Sequence, residues 1–223
     1  MKLSENTLST LKNFAAINPN LVVKPGQVLS TIAEAKNIFA KATVEEEFPS
    51  EFGIYDLNEF LNVINLVGTN PEVQFENDSA LISDGNVSAT YRFADASILT
   101  APTKAITMPD PDVTLEISAE HLNQVRKAAG ALGHSVVSIV SDGKSVQLVV
   151  RDPKNSSSNA FSIDLQGVDS SEVFDLQFLI ANLKVIGGDY KVNLSSKLIS
   201  QWINKNAAVE YYIALEKTST FEG

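Results

Sequence analysis

The residue types that carry enzymatic chemistry are sparse in this 223-residue chain. Cysteine is absent, which excludes disulfides, thiolate nucleophiles and cysteine-ligated metal centres. The two histidines, His121 and His134, do not belong to a sequence motif that pairs a catalytic nucleophile with its base. Gly143-Lys144-Ser145 has the ending of a phosphate-binding loop, but Ser138 occupies the position where that loop requires glycine. We therefore predict no catalytic residue and no nucleotide site.

Acidic side chains are the remaining candidates for chemistry, and they occur in two short clusters. Glu45-Glu46-Glu47 and Asp110-Pro111-Asp112 carry the carboxylates that divalent cations prefer. A hydrolase that uses these carboxylates is therefore an open hypothesis, and divalent-metal-dependent turnover would support it. Acidic runs beside loops are usually solvated, however, so we predict neither a metal ion nor another cofactor.

The composition indicates a globular protein with an acidic balance of charge. Hydrophobic residues make up 44% of the chain and charged residues 20%, which provides enough apolar material for a buried core. The net charge of -10 disfavours a protein that grips nucleic acid mainly by neutralising phosphates. No run approaches the roughly 18 consecutive apolar residues of a membrane-spanning helix. We expect an intracellular protein that does not bind membranes.

A proline-containing stretch divides the chain almost in half. Its prolines cannot continue a helix or a central strand, so the stretch is typical of a connector. We predict a first domain at 1–94, an interdomain connector at 95–112 and a second domain at 113–223.

The two halves share an internal repeat. Ile54-Tyr55-Asp56-Leu57 matches Val173-Phe174-Asp175-Leu176, and each Asp is a possible helix N-cap. Apolar residues then recur with helical spacing in both copies, and Gly68 and Gly187 would end the two helices. The stripe of the second copy consists of Leu176, Leu179, Ile180 and Leu183.

Each half also begins with a helical pattern, and Asp84-Gly85 and Asp142-Gly143 are strong hairpin signals. We therefore predict an α+β protein with two similar domains, each consisting of two helices packed on antiparallel β-sheet.

Four basic residues recur near matched places on the predicted helices: Lys12, Arg126, Lys127 and Lys184. Basic side chains near helix C-termini complement the helix dipole, and this role alone would explain them. Contact of these basic side chains with phosphate groups explains their positions equally well. The sequence leaves both interpretations open.

Several blocks of the chain, in their joint order and spacing, resemble the sliding clamps of T-even-type bacteriophages, which are DNA polymerase processivity factors. These blocks are MKLS with LKNFAAIN, IYDLNEFLNVINLV, DYKVNL at 189–194 and YIALE at 212–216. The resemblance spans the whole chain and is weakest at 24–52 and 152–171.

The resemblance implies the DNA clamp fold, a head-to-tail homotrimer closed around duplex DNA, and no enzymatic activity. Twelve helices would line the hole, and Lys12, Arg126, Lys127 and Lys184 would face the DNA. The implied partners are the phage DNA polymerase, an ATP-dependent clamp loader and transcription factors. The protein would act in viral DNA replication in the cytoplasm of the infected bacterial host.

Related clamps hold a partner peptide beside the connector and the C-terminal segment. The apolar residues there are Ile98, Leu99, Ile106, Met108 and Phe221. These side chains would line the peptide site, or they would pin the connector to the domains. A non-enzymatic phage structural or assembly protein with a duplicated α+β domain is the alternative function, and copurification with particles would favour it.

Overall fold

Met1–Ile106 and Ala208–Glu210 form one folding unit, and Thr107–Ala207 with Tyr211–Gly223 form the second. The computed structural model describes residues 1–168 and 170–222. None of the helices in these residues combines the length and the apolar character that crossing a bilayer requires.

The described part of the first unit contains two α-helices and seven strands. In chain order the elements are α1 (Glu5–Ile17), β1 (Leu21–Val23), β2 (Gly26–Ile32), β3 (Ile38–Phe48), β4 (Phe52–Ile54), α2 (Leu57–Val67), β5 (Glu72–Phe75), β6 (Ser79–Asp84) and β7 (Val87–Arg92). Strand β1 pairs with β4, β2 pairs with β3, and β5, β6 and β7 form a sheet in that order, all antiparallel.

Helix α1 begins with a capping arrangement that uses one residue of the acidic cluster at 45–47. The Ser4 hydroxyl accepts from the Thr7 backbone N–H at 3.2 Å. The Glu46 carboxylate accepts from the Ser4 backbone N–H and from the Thr7 hydroxyl. Burial would raise the pKa of Glu46, but these hydrogen bonds outweigh burial and hold the pKa below its ordinary value. Glu46 therefore stabilises the start of a helix.

Helix α2 begins and ends where its sequence predicts. The Asp56 carboxylate accepts from the backbone N–H groups of Asn58 and Glu59 at 2.9 and 3.3 Å, and the helix ends before Gly68. Its buried face packs on the sheet, where the rings of Phe60 and Tyr91 meet edge to face at 5.1 Å.

The described part of the second unit contains one α-helix and nine strands, of which β15 begins with two residues of the first unit. In chain order the elements are β8 (Val113–Ile117), α3 (Ala119–Leu132), β9 (Val136–Asp142), β10 (Val146–Val150), β11 (Phe161–Asp164), β12 (Val173–Leu179), β13 (Tyr190–Ser195), β14 (Ile199–Asn204), β15 (Val209–Ala214) and β16 (Thr220–Glu222). One sheet has the order β11-β10-β9-β12-β16, and the strands of another follow the order β15-β14-β13-β8.

The α+β class is confirmed, but the helix predicted over Leu176–Leu183 is wrong. Residues up to Leu179 continue strand β12, and a short 3-10 helix follows at Ile180–Asn182. Phe174, Leu176 and Phe178 are buried on one face of the strand, and Asp175 on the other face pairs with Arg151 at 2.6 Å. The apolar residues satisfy the two-residue period of a strand, and seven residues of β12 pair with β9. Sheet pairing therefore overrides the helical spacing.

Both predicted hairpins are present. Gly85 connects β6 to β7 with φ of 55°, and Gly143 connects β9 to β10 with φ of 83°. Glycine adopts such left-handed backbone angles without the steric cost that a side chain would add.

Candidate functional site

Two of the four candidate DNA-facing residues project from α-helices into solvent. Lys12 is exposed on α1, whose opposite face buries Leu11 and Phe14. Lys127 is exposed on α3, which buries Leu122 and Val125. Because the apolar stripe of each helix turns toward its own core, both ammonium groups are available to an external anion.

Arg126 has a structural role that the sequence did not reveal. One terminal nitrogen of its guanidinium donates to the backbone carbonyls of Leu183 and Val185 at 2.9 and 3.2 Å. These bonds hold an irregular segment that follows the short 3-10 helix. Arg126 therefore stabilises the fold of the second unit, and it is only half-exposed.

Two buried tyrosines hold the same segment. The Tyr190 hydroxyl donates to the Ile186 carbonyl at 2.6 Å, and the Ile186 N–H donates to the Tyr211 hydroxyl at 3.2 Å. Burial raises the pKa of Tyr190 to about 12 and raises the pKa of Tyr211 as well, so both hydroxyls remain protonated at neutral pH.

Lys184 lies in this irregular segment. The sequence predicted that it would lie late in a helix, and that prediction is wrong. It is exposed, and the two carbonyls that Arg126 binds belong to the residues on either side of it. Arg126 thus positions the chain that carries Lys184.

Replacing Arg126 with Ala will destabilise the protein, because two partly buried carbonyls lose a charged donor. We expect the free energy of unfolding to fall by about 2–3 kcal/mol. Denaturant unfolding measures this change, and Lys127→Ala is the matched control, with an expected change within about 0.5 kcal/mol. Equal stability of the two variants would contradict the structural role of Arg126.

The exposed surface of α2 differs from those of α1 and α3. It contains no Lys or Arg, and it presents Asp56 and Glu59 together with Leu66, which is 78% exposed. A uniformly basic helical surface is therefore absent from the described residues, and the positive charge comes from α1, α3 and the segment around Lys184.

The apolar residues of the predicted connector have different environments. Ile98 is 70% exposed on a 3-10 helix at Ala96–Ile98, whose N-cap is Asp95. Leu99 is only 9% exposed and packs against Gly53, where an added Cβ would lie 2.7 Å from the Leu99 Cδ1 atom. Leu99 therefore anchors the chain, whereas Ile98 is available for contact.

The remaining predicted peptide-site residues are half-buried: Ile106, Met108 and Phe221. Ile106 ends the first unit, whereas Met108 and Phe221 belong to the second. The Phe221 ring stacks on Phe174 with centroids 6.0 Å apart and planes at 11°.

The acidic clusters do not converge on an ion site in the described chain. No group of three His, Cys, Asp or Glu residues there has a metal-binding arrangement. Asp112 accepts from the Ser196 N–H at 2.6 Å and from the Ser195 hydroxyl at 3.1 Å. The Ser196 hydrogen bond is the main cause that lowers the pKa of Asp112. Like Glu46, Asp112 organises the backbone.

Two edge strands present apolar residues on the helix-covered face of their sheets. In β7, Val87 and Ala89 share a face with Tyr91, which packs against α2, and Val87 is 51% exposed. In β11, Phe161 and Ile163 are half-buried beside the core strand β10. Each strand is the last one in its sheet. Such edges offer unpaired backbone groups to another strand.

Three other sheet edges, those of β5, β2 and β16, are less suited to pairing. Residues 1 and 2 bond to β5, where the Val73 N–H donates to the Met1 carbonyl at 2.7 Å. The β2 edge carries a register shift between Gly26 and Val28, and bulges of this kind discourage edge pairing. Strand β16 has only three residues.

Comparison with known proteins shows matches along both units. The family model described as DNA polymerase processivity factor matches residues 2–108. The model described as gp45 sliding clamp, C terminal, matches residues 114–217.

Similar proteins occur in several phages. The sliding clamp of Vibrio phage KVP40 is 32% identical over 222 residues, covering 97% of this chain and 99% of the relative. The sliding clamp of Enterobacteria phage T4 is 32% identical over 233 residues, covering 100% of both chains.

Solved structures share the fold at low sequence identity. A. fulgidus PCNA, solved with the C-terminal region of FEN-1, has a TM-score of 0.70 at 14% identity. The alignment covers 96% of this chain and 96% of the PCNA chain. An H. pylori beta clamp has a TM-score of 0.72 at 12% identity, covering 97% of this chain and 66% of the clamp.

Proposed function

We infer that this chain forms a homotrimeric ring that encircles duplex DNA and tethers the replicative polymerase. The chain belongs to the sliding-clamp family of DNA polymerase processivity factors. The observation that carries this proposal is a pair of open sheet edges, β7 and β11, that present apolar side chains. They lie at different places on the chain, so pairing β7 of one copy with β11 of the next is a heterologous contact. Such a contact closes into a ring when its rotation fits.

The side chains of the two edges are complementary. Pairing would extend one sheet into the next and place Val87 and Ala89 beside Phe161 and Ile163, on the faces that the helices already cover. The half-buried apolar surface of both edges would then leave water. This burial stabilises the closed ring.

The charge of the chain is compatible with encirclement. Each copy has a net charge of -10, so a ring of three copies repels DNA from most of its surface. Lys12, Lys127 and Lys184 supply a few sequence-independent contacts to phosphates, and Arg126 supports the last of them. Few contacts allow the ring to slide.

The polymerase attaches through a short peptide, and the candidate contacts for this peptide are Ile98 and Ile106 in the first unit and Met108 and Phe221 in the second. Two clamp-fold neighbours were solved with partner segments, namely A. fulgidus PCNA with a region of FEN-1 and an H. pylori beta clamp with a DNA ligase peptide.

An ATP-dependent loader opens the ring, because this chain has no nucleotide-binding motif. The protein acts without catalysis in the cytoplasm of the infected bacterium, as the phage origin of its relatives suggests.

The oligomeric state tests this proposal. The native chain is expected at three times the protomer mass by light scattering at micromolar concentration. Val87→Glu will shift it to monomers, because the interface would bury an unpaired carboxylate at a cost of roughly 3–5 kcal/mol.

The matched control is Val28→Glu on the bulged edge of β2, where the valine is 44% exposed and the trimer should persist. A folded native chain that remains monomeric, or a Val87→Glu variant that remains trimeric, would contradict the proposed interface.

A further inference from the structure

His134 lies between helix α3 and strand β9, and the end of the helix holds its backbone in place. Gly133 has a φ of 67°, a left-handed angle that glycine adopts without steric cost. The His134 N–H then donates to the Ala129 carbonyl at 3.1 Å. An ending of this kind satisfies carbonyl groups of the last helical turn. Because β9 begins at Val136, the backbone that carries the imidazole is fixed on both sides.

The imidazole of His134 binds the loop that precedes β11. Its Nε2 atom lies 2.8 Å from the Asn159 carbonyl oxygen. Since a carbonyl oxygen can only accept, Nε2 carries the proton and donates. Strand β11 begins two residues later, at Phe161. His134 therefore holds the start of β11 beside the end of α3.

The loop between β10 and β11 is attached near both of its ends. At its start, a terminal nitrogen of Arg151 lies 2.6 Å from the carboxylate of Asp175 on β12. Within the loop, the Ser158 N–H donates to the Asn155 carbonyl at 3.0 Å. This bond joins two residues of the loop and does not attach the loop to another element. The attachment near the end of the loop therefore depends on His134.

Strand β11 has only one neighbouring strand in its own chain. It pairs with β10 over four residues, and it is the last strand of its sheet. A short edge strand opens with a lower free energy than a central strand does. An anchor at the start of β11 therefore raises the fraction of molecules in which this edge is ordered.

We propose that His134 is a positioning residue for ring closure, because its imidazole keeps β11 ordered on β10 and so prepares this edge to pair with β7 of the next copy. The apparent affinity of an interface falls with the fraction of molecules whose binding surface is competent. An edge that is already ordered also loses less conformational entropy when the next copy binds. This inference rests on the proposed β7–β11 interface, and it adds a residue that acts on the interface through β11.

Dissociation of the full-length trimer on dilution tests this role. His134→Ala removes the donor, and we expect the concentration at which half of the protein is trimeric to rise by roughly threefold to tenfold. Sedimentation measures this concentration. His134→Gln keeps a side-chain N–H donor, and its value should stay within about twofold of that of the native chain.

Ser157→Ala is the matched control in the same loop. The exposed Ser157 hydroxyl donates to the Asn155 side-chain oxygen at 2.7 Å, a bond that does not leave the loop. This variant should dissociate like the native chain. A His134→Ala trimer as stable as the native one would overturn the proposal, as would a Ser157→Ala trimer weakened to the same extent as His134→Ala.

Hydrogen exchange provides a readout on the single copy. In the Val87→Glu background, which is expected to be monomeric, His134→Ala should speed the exchange of amides 161–164 by at least about threefold, while the amides of β9 keep their protection. Unchanged exchange at 161–164, or equal acceleration in β9, would contradict a local positioning role. A native trimer that does not depend on His134 overturns this inference alone, whereas a folded native chain that remains monomeric contradicts the ring itself.

Discussion

Protein loaded on a nicked circular duplex will stay bound when the salt concentration is raised, and it will be lost when the circle is cut. Attachment by encirclement is topological, so it does not depend on contacts to phosphates. A protein held by about 6–10 phosphate contacts would instead lose roughly 10³–10⁵ in affinity between about 50 and 200 mM salt. The three exposed lysines Lys12, Lys127 and Lys184 of each copy would give a ring of three copies nine such contacts, so binding through phosphates alone would fall steeply over this range.

The measurement loads the protein with its cognate loader and ATP, raises the salt and separates the DNA-bound fraction by gel filtration. Restriction of the circle then provides free ends from which a ring slides off. A linear duplex blocked at both ends is the control, and it should retain the protein. Release at high salt from the intact circle, or retention on DNA with free ends, would exclude encirclement.

Reversing the charge of Lys12, Lys127 and Lys184 together to Glu will impair loading while the protein remains folded and trimeric. All three side chains are exposed, and the change removes three positive charges and adds three negative ones in each copy at positions proposed to face DNA. We expect the loading rate to fall by at least about tenfold, since electrostatic steering changes association rates by roughly 10–10³. Arg126 is left unchanged because its replacement would also disturb the fold.

The control variant carries the same change in charge at three exposed lysines elsewhere. Lys24 lies between β1 and β2, Lys144 lies between β9 and β10, and Lys217 precedes β16. Loading rates and the length of processive synthesis are compared at matched salt. Equal impairment in both variants would show that net charge alone matters and would remove the three residues from the DNA surface.

The sequence by itself determined the features whose causes lie within a few residues. Asp56 begins helix α2 through hydrogen bonds to the backbone N–H groups of the first turn, as the sequence predicts. The Asp-Gly hairpins and the joint order of the family blocks are equally local. These signals sufficed for the α+β class and for the family.

The tertiary structure alone decided which surfaces these elements present. The stripe at 176–183 is compatible with either a helix or a strand, and pairing with β9 and β16 selected the strand. Arg126 binds carbonyls 57 and 59 residues away, and Leu99 is buried against Gly53 while its neighbour Ile98 is exposed. Capping and periodicity act between neighbours in the chain, whereas strand pairing and burial depend on distant residues that only the folded chain brings together.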